Sequence, residues 1–360
     1  MQKIIFPTSA CILRILPEIA TVVTVLGLGA CARENGPVPA ATAAADPVPG
    51  EVSPGRRDEE LSTATAAFGP LIVRGGEESH EAAVKPWSAW WYPVRDTALF
   101  EGNKPGESPL EKYDLYMKKV HHEDPGAAAF ERDNLYDPRA SGWEGHCNAW
   151  SLASVMEAEP VAPVIRGGVS FGVGDQKALL IKSYESVPGI RQFGQRYDGD
   201  RFSVYEDIYP DQLHRVIQDQ LVDKGRPFII DKEPGVAVWN FPIWKADTVI
   251  RPDTTDASRV HVTLWLHGAS PFVSDPEFKG TLPLVFRYTY DLVGEPVDLP
   301  LGRSLRVVWG EWTGESRDYH PDFVTVLPDA REHSSRNEKI RNDIVYEIIS
   351  GPAGRVPPGR

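Results

Sequence analysis

The sequence predicts an α+β domain, helices first and a mostly antiparallel sheet after them, and three observations carry that expectation. Ala149, Leu152, Ala153 and Met156 recur at i, i+3, i+4 and i+7, the spacing of one buried helical stripe. Residues 260–266, 284–290 and 304–309 alternate apolar with polar side chains, the period of strands with one covered face. Nearly all of the 10 Trp, 12 Tyr and 13 Phe fall within residues 67–350, so one large core absorbs them rather than several modules.

The chain opens with Lys3 and Arg14 around an apolar run, residues 19–30, that is far too short to span a bilayer and typical of an export signal. Leu28-Gly29-Ala30-Cys31 resembles a bacterial lipobox. Residues 1–31 are therefore expected to be a lipoprotein signal, with Cys31 lipidated and the domain held at the bacterial cell envelope. Residues 32–66 are Ala, Pro, Gly, Thr and Glu with almost no large apolar side chain, a composition that cannot offset chain entropy and reads as a disordered tether. A formal charge of -13 argues against nucleic acid as a partner.

Within the domain, Trp87, Trp90, Trp91 and Tyr92 are expected to pack between lobes, with a substrate-facing aromatic wall as the alternative. Gly142 and Gly145 bracket a loop that leads into a helix beginning near Cys147, on the side away from the apolar stripe and together with Ser151 and Ser154. Pro160 and Pro163 stop that helix, and a short strand near residues 169–173 precedes a second helix with Asp175 as its expected N-cap. Tyr209-Pro210-Asp211 opens a third, with His214 beside its apolar face. Residues 227–230 read as a buried strand ending at Asp231, and Val236, Val238 and Trp239 as the start of another across Pro234-Gly235. A final helix is expected within residues 336–349, and residues 351–360 read as a flexible tail.

Cysteine usage points to chemistry. Of three cysteines, Cys11 lies in the leader and Cys31 at the lipobox, which leaves Cys147 alone in the domain. An unpaired thiol in an oxidising compartment is kept either by burial or for its reactivity. At a helix start, unpaired N–H groups and the positive dipole end are expected to lower its pKa and favour the thiolate. No two-cysteine metal motif exists, and His121-His122 lacks ligand partners at metal spacing.

Several motifs resemble known families. Cys147-Asn148-Ala149-Trp150-Ser151 resembles the start of the central helix in papain-like cysteine peptidases. The Pro-Trp-Ser and Trp-Trp pairs at residues 86–91, Leu110 to Asp114, the Asp231 to Pro242 segment and the Gly310-Glu311-Trp312 to His320-Pro321-Asp322-Phe323 loop resemble the transglutaminase elicitor family. Those are secreted protein-glutamine acyltransferases of oomycetes with bacterial relatives. Ala237 and Phe241 stand where that pattern has Glu and Gln.

The resemblance implies a papain-like or transglutaminase-type fold and acyl transfer through a cysteine thioester. Cys147 would be the nucleophile, His320 the acid and base, and Asp231 the carboxylate that orients the imidazole, with His261 the rival base and Glu311 and Asp322 the rival carboxylates. Trp143, Trp239 and Asn240 are the expected substrate contacts. Substrates would be proteins with accessible glutamine, together with amine donors. No cofactor is required on this reading, and calcium enters by analogy with other transglutaminases only. A cysteine peptidase or glutamine deamidase, and a non-catalytic surface-binding lipoprotein, are the alternatives.

Overall fold

A computed structural model describes residues 67–196, 207–300, 302–329 and 332–351. The expected signal, the Cys31 lipidation site, the tether and all but the first residue of the tail lie outside the described residues. No described helix is long and apolar enough to cross a membrane.

Helices dominate the first half. α1 (Pro109–Tyr116) starts where Ser108 and Glu111 form a reciprocal capping box with proline at the first helical turn. Its Asp114 then accepts from the backbone N–H of Ala127 at 2.8 Å and Ala128 at 3.0 Å, and so caps α2 (Ala127–Phe130). That capping gives the Leu110 to Asp114 motif a structural role. After α3 (Cys147–Met156) comes a hairpin of β3 (Val164–Arg166) and β4 (Val169–Phe171), then α4 (Val173–Ser183). Asp175 is not the N-cap of α4: Gly172 is, and Asp175 stands in the first turn and accepts from Gly172 N–H at 2.7 Å. The next two orphan N–H groups, of Val173 and Gly174, go to the Glu277 carboxylate.

The second half is sheet. Among the described residues nine strands join one antiparallel sheet in the order β1 (Ile72–Val73), β10 (Gly302–Trp312), β9 (Pro283–Leu299), β8 (Arg259–Ala269), β7 (Asn240–Pro252), β6 (Phe228–Asp231), β11 (Phe323–Val326) and β5 (Arg191–Gly194), with β2 (Gly76–Glu81) also on β7. Strand β7 has two partners along one edge: β6 lies against residues 240–243 and β2 against residues 245–250. Its first five residues are all buried, and only beyond them does the alternation of a one-faced strand appear. The ladder to β8 slips between Ile243 and Lys245, where the partner changes.

Alternation on β6 divides the interior. Ile229 joins a cluster with Trp150, Leu152, Tyr113, Tyr184 and Phe171 from the helices. Its neighbours Phe228 and Ile230 face the other way, into a cluster with Phe241, Leu264, Tyr290 and the apolar stripe of α5 (Pro210–Ile217). Asp231, two residues past Ile229, therefore returns to the helical side, opposite Asn240 of β7.

Two expected elements move. Val236, Val238 and Trp239, expected to open a strand, belong instead to a loop over residues 232–239, and the strand starts at Asn240, because Trp239 N–H donates to Asp231 Oδ1 at 2.9 Å instead of entering a ladder. The last helix, α6 (Asn342–Ser350), starts later than expected. The preceding chain is drawn inward by Asn337, whose amide donates to Ala127 O and Glu131 Oε2.

Candidate active site

Gly145 decides how the nucleophile loop lies. An added Cβ would sit 2.4 Å from the Trp91 ring and 3.0 Å from the Pro93 backbone, so only glycine lets the loop cross there and bridge to Pro93. Gly145→Ala is expected to cost about 1–3 kcal/mol through forced repacking, read as a lowered urea midpoint at unchanged slope.

His146 follows as the N-cap of α3 without a side-chain capping bond. Its Nδ1 donates instead to Tyr92 O at 2.7 Å, and its Nε2 faces Lys182 Nζ and Glu185 Oε1, both at 3.2 Å. Lys182, fully buried, also donates to Glu131 Oε1 at 2.8 Å and Glu185 Oε1 at 2.7 Å. Despite burial, hydrogen bonds and positive charge from His146 and Lys182 hold the Glu185 carboxyl down at about 2. This network clamps the start of α3 onto α4. The residues come from four separate stretches of chain, and sequence reasoning passed over them.

Cys147 is the first residue of α3 and only 4% exposed. It does not point to solvent as the single-stripe reading implied. Every residue from Ala149 to Ser154 is buried, because helices cover one side of α3 and β7 the other. The thiol donates to Val238 O at 3.6 Å, and Asn240 Nδ2 approaches the sulfur at 3.7 Å. Burial pushes the thiol pKa up, and the charge of Asp231 adds to that; N–H groups of Asn240 and Asn148 oppose it without prevailing. The expected lowering by the helix start is thus overridden by desolvation.

Asp231 is completely buried, and Oδ2 has no hydrogen-bond partner; the Oδ1 of Asn240 is likewise unpartnered among the described residues. Burial raises the Asp231 carboxyl to about 7 against the pull of the Trp239 and Lys232 N–H groups. A carboxyl that changes charge near neutrality therefore stands one strand pair from the amide that touches the sulfur. Trp239 roofs the site, edge-on to Trp91 at 5.0 Å and to the half-exposed Phe272 at 5.2 Å.

The structure brings Cys147, Asp231, Trp239 and Asn240 together and leaves the expected histidines elsewhere. His320 is buried, stacks on Trp312 at 5.0 Å, and has Nδ1 on Ser316 O at 2.9 Å and Nε2 on Asp207 at 2.8 Å. Both ring nitrogens of His320 are thus engaged by Ser316 and Asp207, whereas the polar contacts of the thiol are with Val238 and Asn240. His261 lies on β8 opposite Arg251, eleven residues along β7 from Asn240 or about 35 Å of extended strand. There it is half-exposed between Asp291 and Asp253, whose hydrogen bonds raise its pKa. Glu311 pairs with Arg259 in that same surface group, and Asp322 is buried beside the His320 loop. Trp143 lies under the Arg196 guanidinium, 5.3 Å from ring centre to charge. Among the described residues no three His, Cys, Asp or Glu side chains gather as cation ligands would.

Comparison with known proteins agrees with the α+β fold. No curated protein matches the chain. The family model described as Transglutaminase elicitor matches residues 138–278, a span that contains Cys147, Asp231 and Asn240 but ends before His320. The GP42 transglutaminase from Phytophthora sojae has a similar fold, at a TM-score of 0.59 and 17% identity over 81% of this chain and 98% of that one. Residues 138–278 of this chain, with Cys147 at the head of their first helix, match the transglutaminase elicitor family model, and the chain has a transglutaminase-like α+β fold.

Proposed function

We propose that this domain is a protein-glutamine acyltransferase in which Cys147 is the nucleophile and Asp231 the group that moves the proton. The observation that carries the reading is the pairing of a buried thiol, touched by Asn240, with a buried carboxyl that keeps one oxygen, Oδ2, without a partner, directly across the β6–β7 ladder from that same Asn240. The family match over residues 138–278 supports it.

In the first step the thiol proton passes to the Asp231 carboxylate as sulfur attacks the glutamine carboxamide. Protonated Asp231 returns that proton to the departing ammonia, leaving a thioester. An amine then attacks the thioester carbonyl, gives its proton to Asp231 and forms an isopeptide bond; the proton finally returns to sulfur. The Asn240 amide and the backbone N–H groups of Asn148 and Asn240, which already point at the sulfur, are placed to stabilise the oxyanion. Trp239 and its neighbour Val238, whose carbonyl holds the thiol, must shift to admit substrate. Residues 1–66 then serve as export signal and tether, with Cys31 as the lipid anchor that holds the enzyme at the envelope.

The test is incorporation of a fluorescent primary amine into a glutamine-rich protein by the purified chain, with product masses recorded. Covalent label is the expected result. A mass gain of about one unit per glutamine without label would replace transfer by deamidation, and unchanged substrate would sink the enzymatic reading.

A further inference from the structure

Beside the nucleophile loop lies a cavity that the chemistry above does not use. It is a cleft of about 860 Å³ between Trp90, Tyr92, the start of α1, the start of α4 and the loop carrying Glu277, within the size range of ligand pockets. Four carboxylates line it, Glu101, Glu107, Asp175 and Glu277, against one cation, Lys112. Asp175 is bonded to Gly172 N–H and to Lys112 Nζ, the latter at 2.5 Å, Glu277 spends its oxygens on α4 N–H groups, and Glu107 accepts from Lys104 N–H.

The cluster of acids alone would be a set of helix caps, but Tyr92 is different. It is 93% buried by its 7% exposure and lines the cleft, and its hydroxyl carries no hydrogen bond among the described residues. Burial raises its pKa, and the negative charge of Asp175, Asp96 and Glu277 raises it further, so it stays a neutral phenol in surroundings that favour positive charge. Its backbone is left-handed, with φ 47°, a costly state for a bulky residue that persists only where the surroundings enforce it. The cleft already accommodates one ammonium, that of Lys112. Through its carbonyl Tyr92 also holds both the N–H and the ring of His146, the residue before Cys147.

We propose that this cleft binds a primary alkylammonium, with the Tyr92 hydroxyl as its hydrogen-bond acceptor, the Trp90 and Tyr92 rings along its methylene chain and the four carboxylates supplying the attraction. As the site of the acyl acceptor this rests on the acyl-transfer reading; as a binding site it does not. The probe is cadaverine, titrated calorimetrically into the wild-type chain without any glutamine substrate. Saturable 1:1 binding is expected, with 1-pentanol at least about tenfold weaker because it lacks the charge. Tyr92→Phe removes only the hydroxyl and is expected to weaken cadaverine about threefold to tenfold. Lys112→Met removes the competing charge and is expected to tighten it about fivefold at low salt, a change of sign that damaged packing would not produce.

Absence of saturation by cadaverine, or affinities equal to wild type in both variants, would overturn the proposal. Cadaverine binding with this pattern but no amine transfer would dismiss the acyltransferase and keep the site. Transfer with an amine KM indifferent to both substitutions would do the reverse.

Discussion

Cys147→Ala is expected to abolish amine transfer, by at least about 10⁴-fold, while the domain stays folded. The loss follows from chemistry, since no other cysteine lies among the described residues and nothing else there can form the thioester. The fold survives because the side chain's polar contacts, at 3.6 Å to Val238 O and 3.7 Å from Asn240, are weak. Removing one buried sulfur should cost about 1 kcal/mol. The wild-type thiol should also react with iodoacetamide more slowly than free cysteine at pH 7.5, because it is roofed by Trp239 and its pKa is raised. Rapid alkylation of the resting enzyme would show that the roof is open and would remove the need for Val238 and Trp239 to move.

Asp231→Asn is expected to lower kcat/KM by about 10²–10³-fold and to erase the rise in rate that ionisation near pH 7 produces. The same substitution should stabilise the protein above neutrality. The sign follows from linkage: burial lifts the native carboxyl from 3.8 to about 7, so between those values the native state holds a proton that the unfolded state has lost. Wild-type stability therefore falls as pH rises from about 4 to 7, by up to about 1.4 kcal/mol per unit, and then levels off. Asparagine has no such loss, so the two proteins should be close in urea midpoint at pH 4 and separate by pH 8. An active enzyme with a flat profile through neutrality would remove Asp231 from the proton path. His320→Ala is the control: its ring serves Asp207, Ser316 and Trp312, so transfer should change by less than about fivefold even if stability drops.

These expectations differ from the histidine-based triad that the sequence motifs imply. The Gly310 to Phe323 segment lies outside the matched residues 138–278, and its histidine is held by Asp207, just ahead of α5, and by Ser316. Motif spacing along the chain says which residues are worth tracking; it carries no information on which side of a sheet each will emerge. One residue of register turns a strand side chain to the opposite face, and here that parity separates Asp231 and Asn240 from the cluster beside His320.

Local pattern by itself was enough for the helix at Cys147, the β8, β9 and β10 strands, the buried strand ending at Asp231 and the solitude of the one domain cysteine, because each depends on periodicity or composition within about ten residues. Tertiary structure alone decided the rest. Burial of α3 on all sides turned the expected thiolate into a raised thiol, since desolvation depends on what packs from afar. The Lys182, Glu185 and Glu131 network behind His146 and the β7 strand shared between two partners likewise arise from contacts distant in sequence. So does the raised carboxyl of Asp231, which burial sets while the Trp239 and Lys232 N–H groups pull against it, in a stretch where local preference predicts a strand from Val236 and the fold keeps a loop.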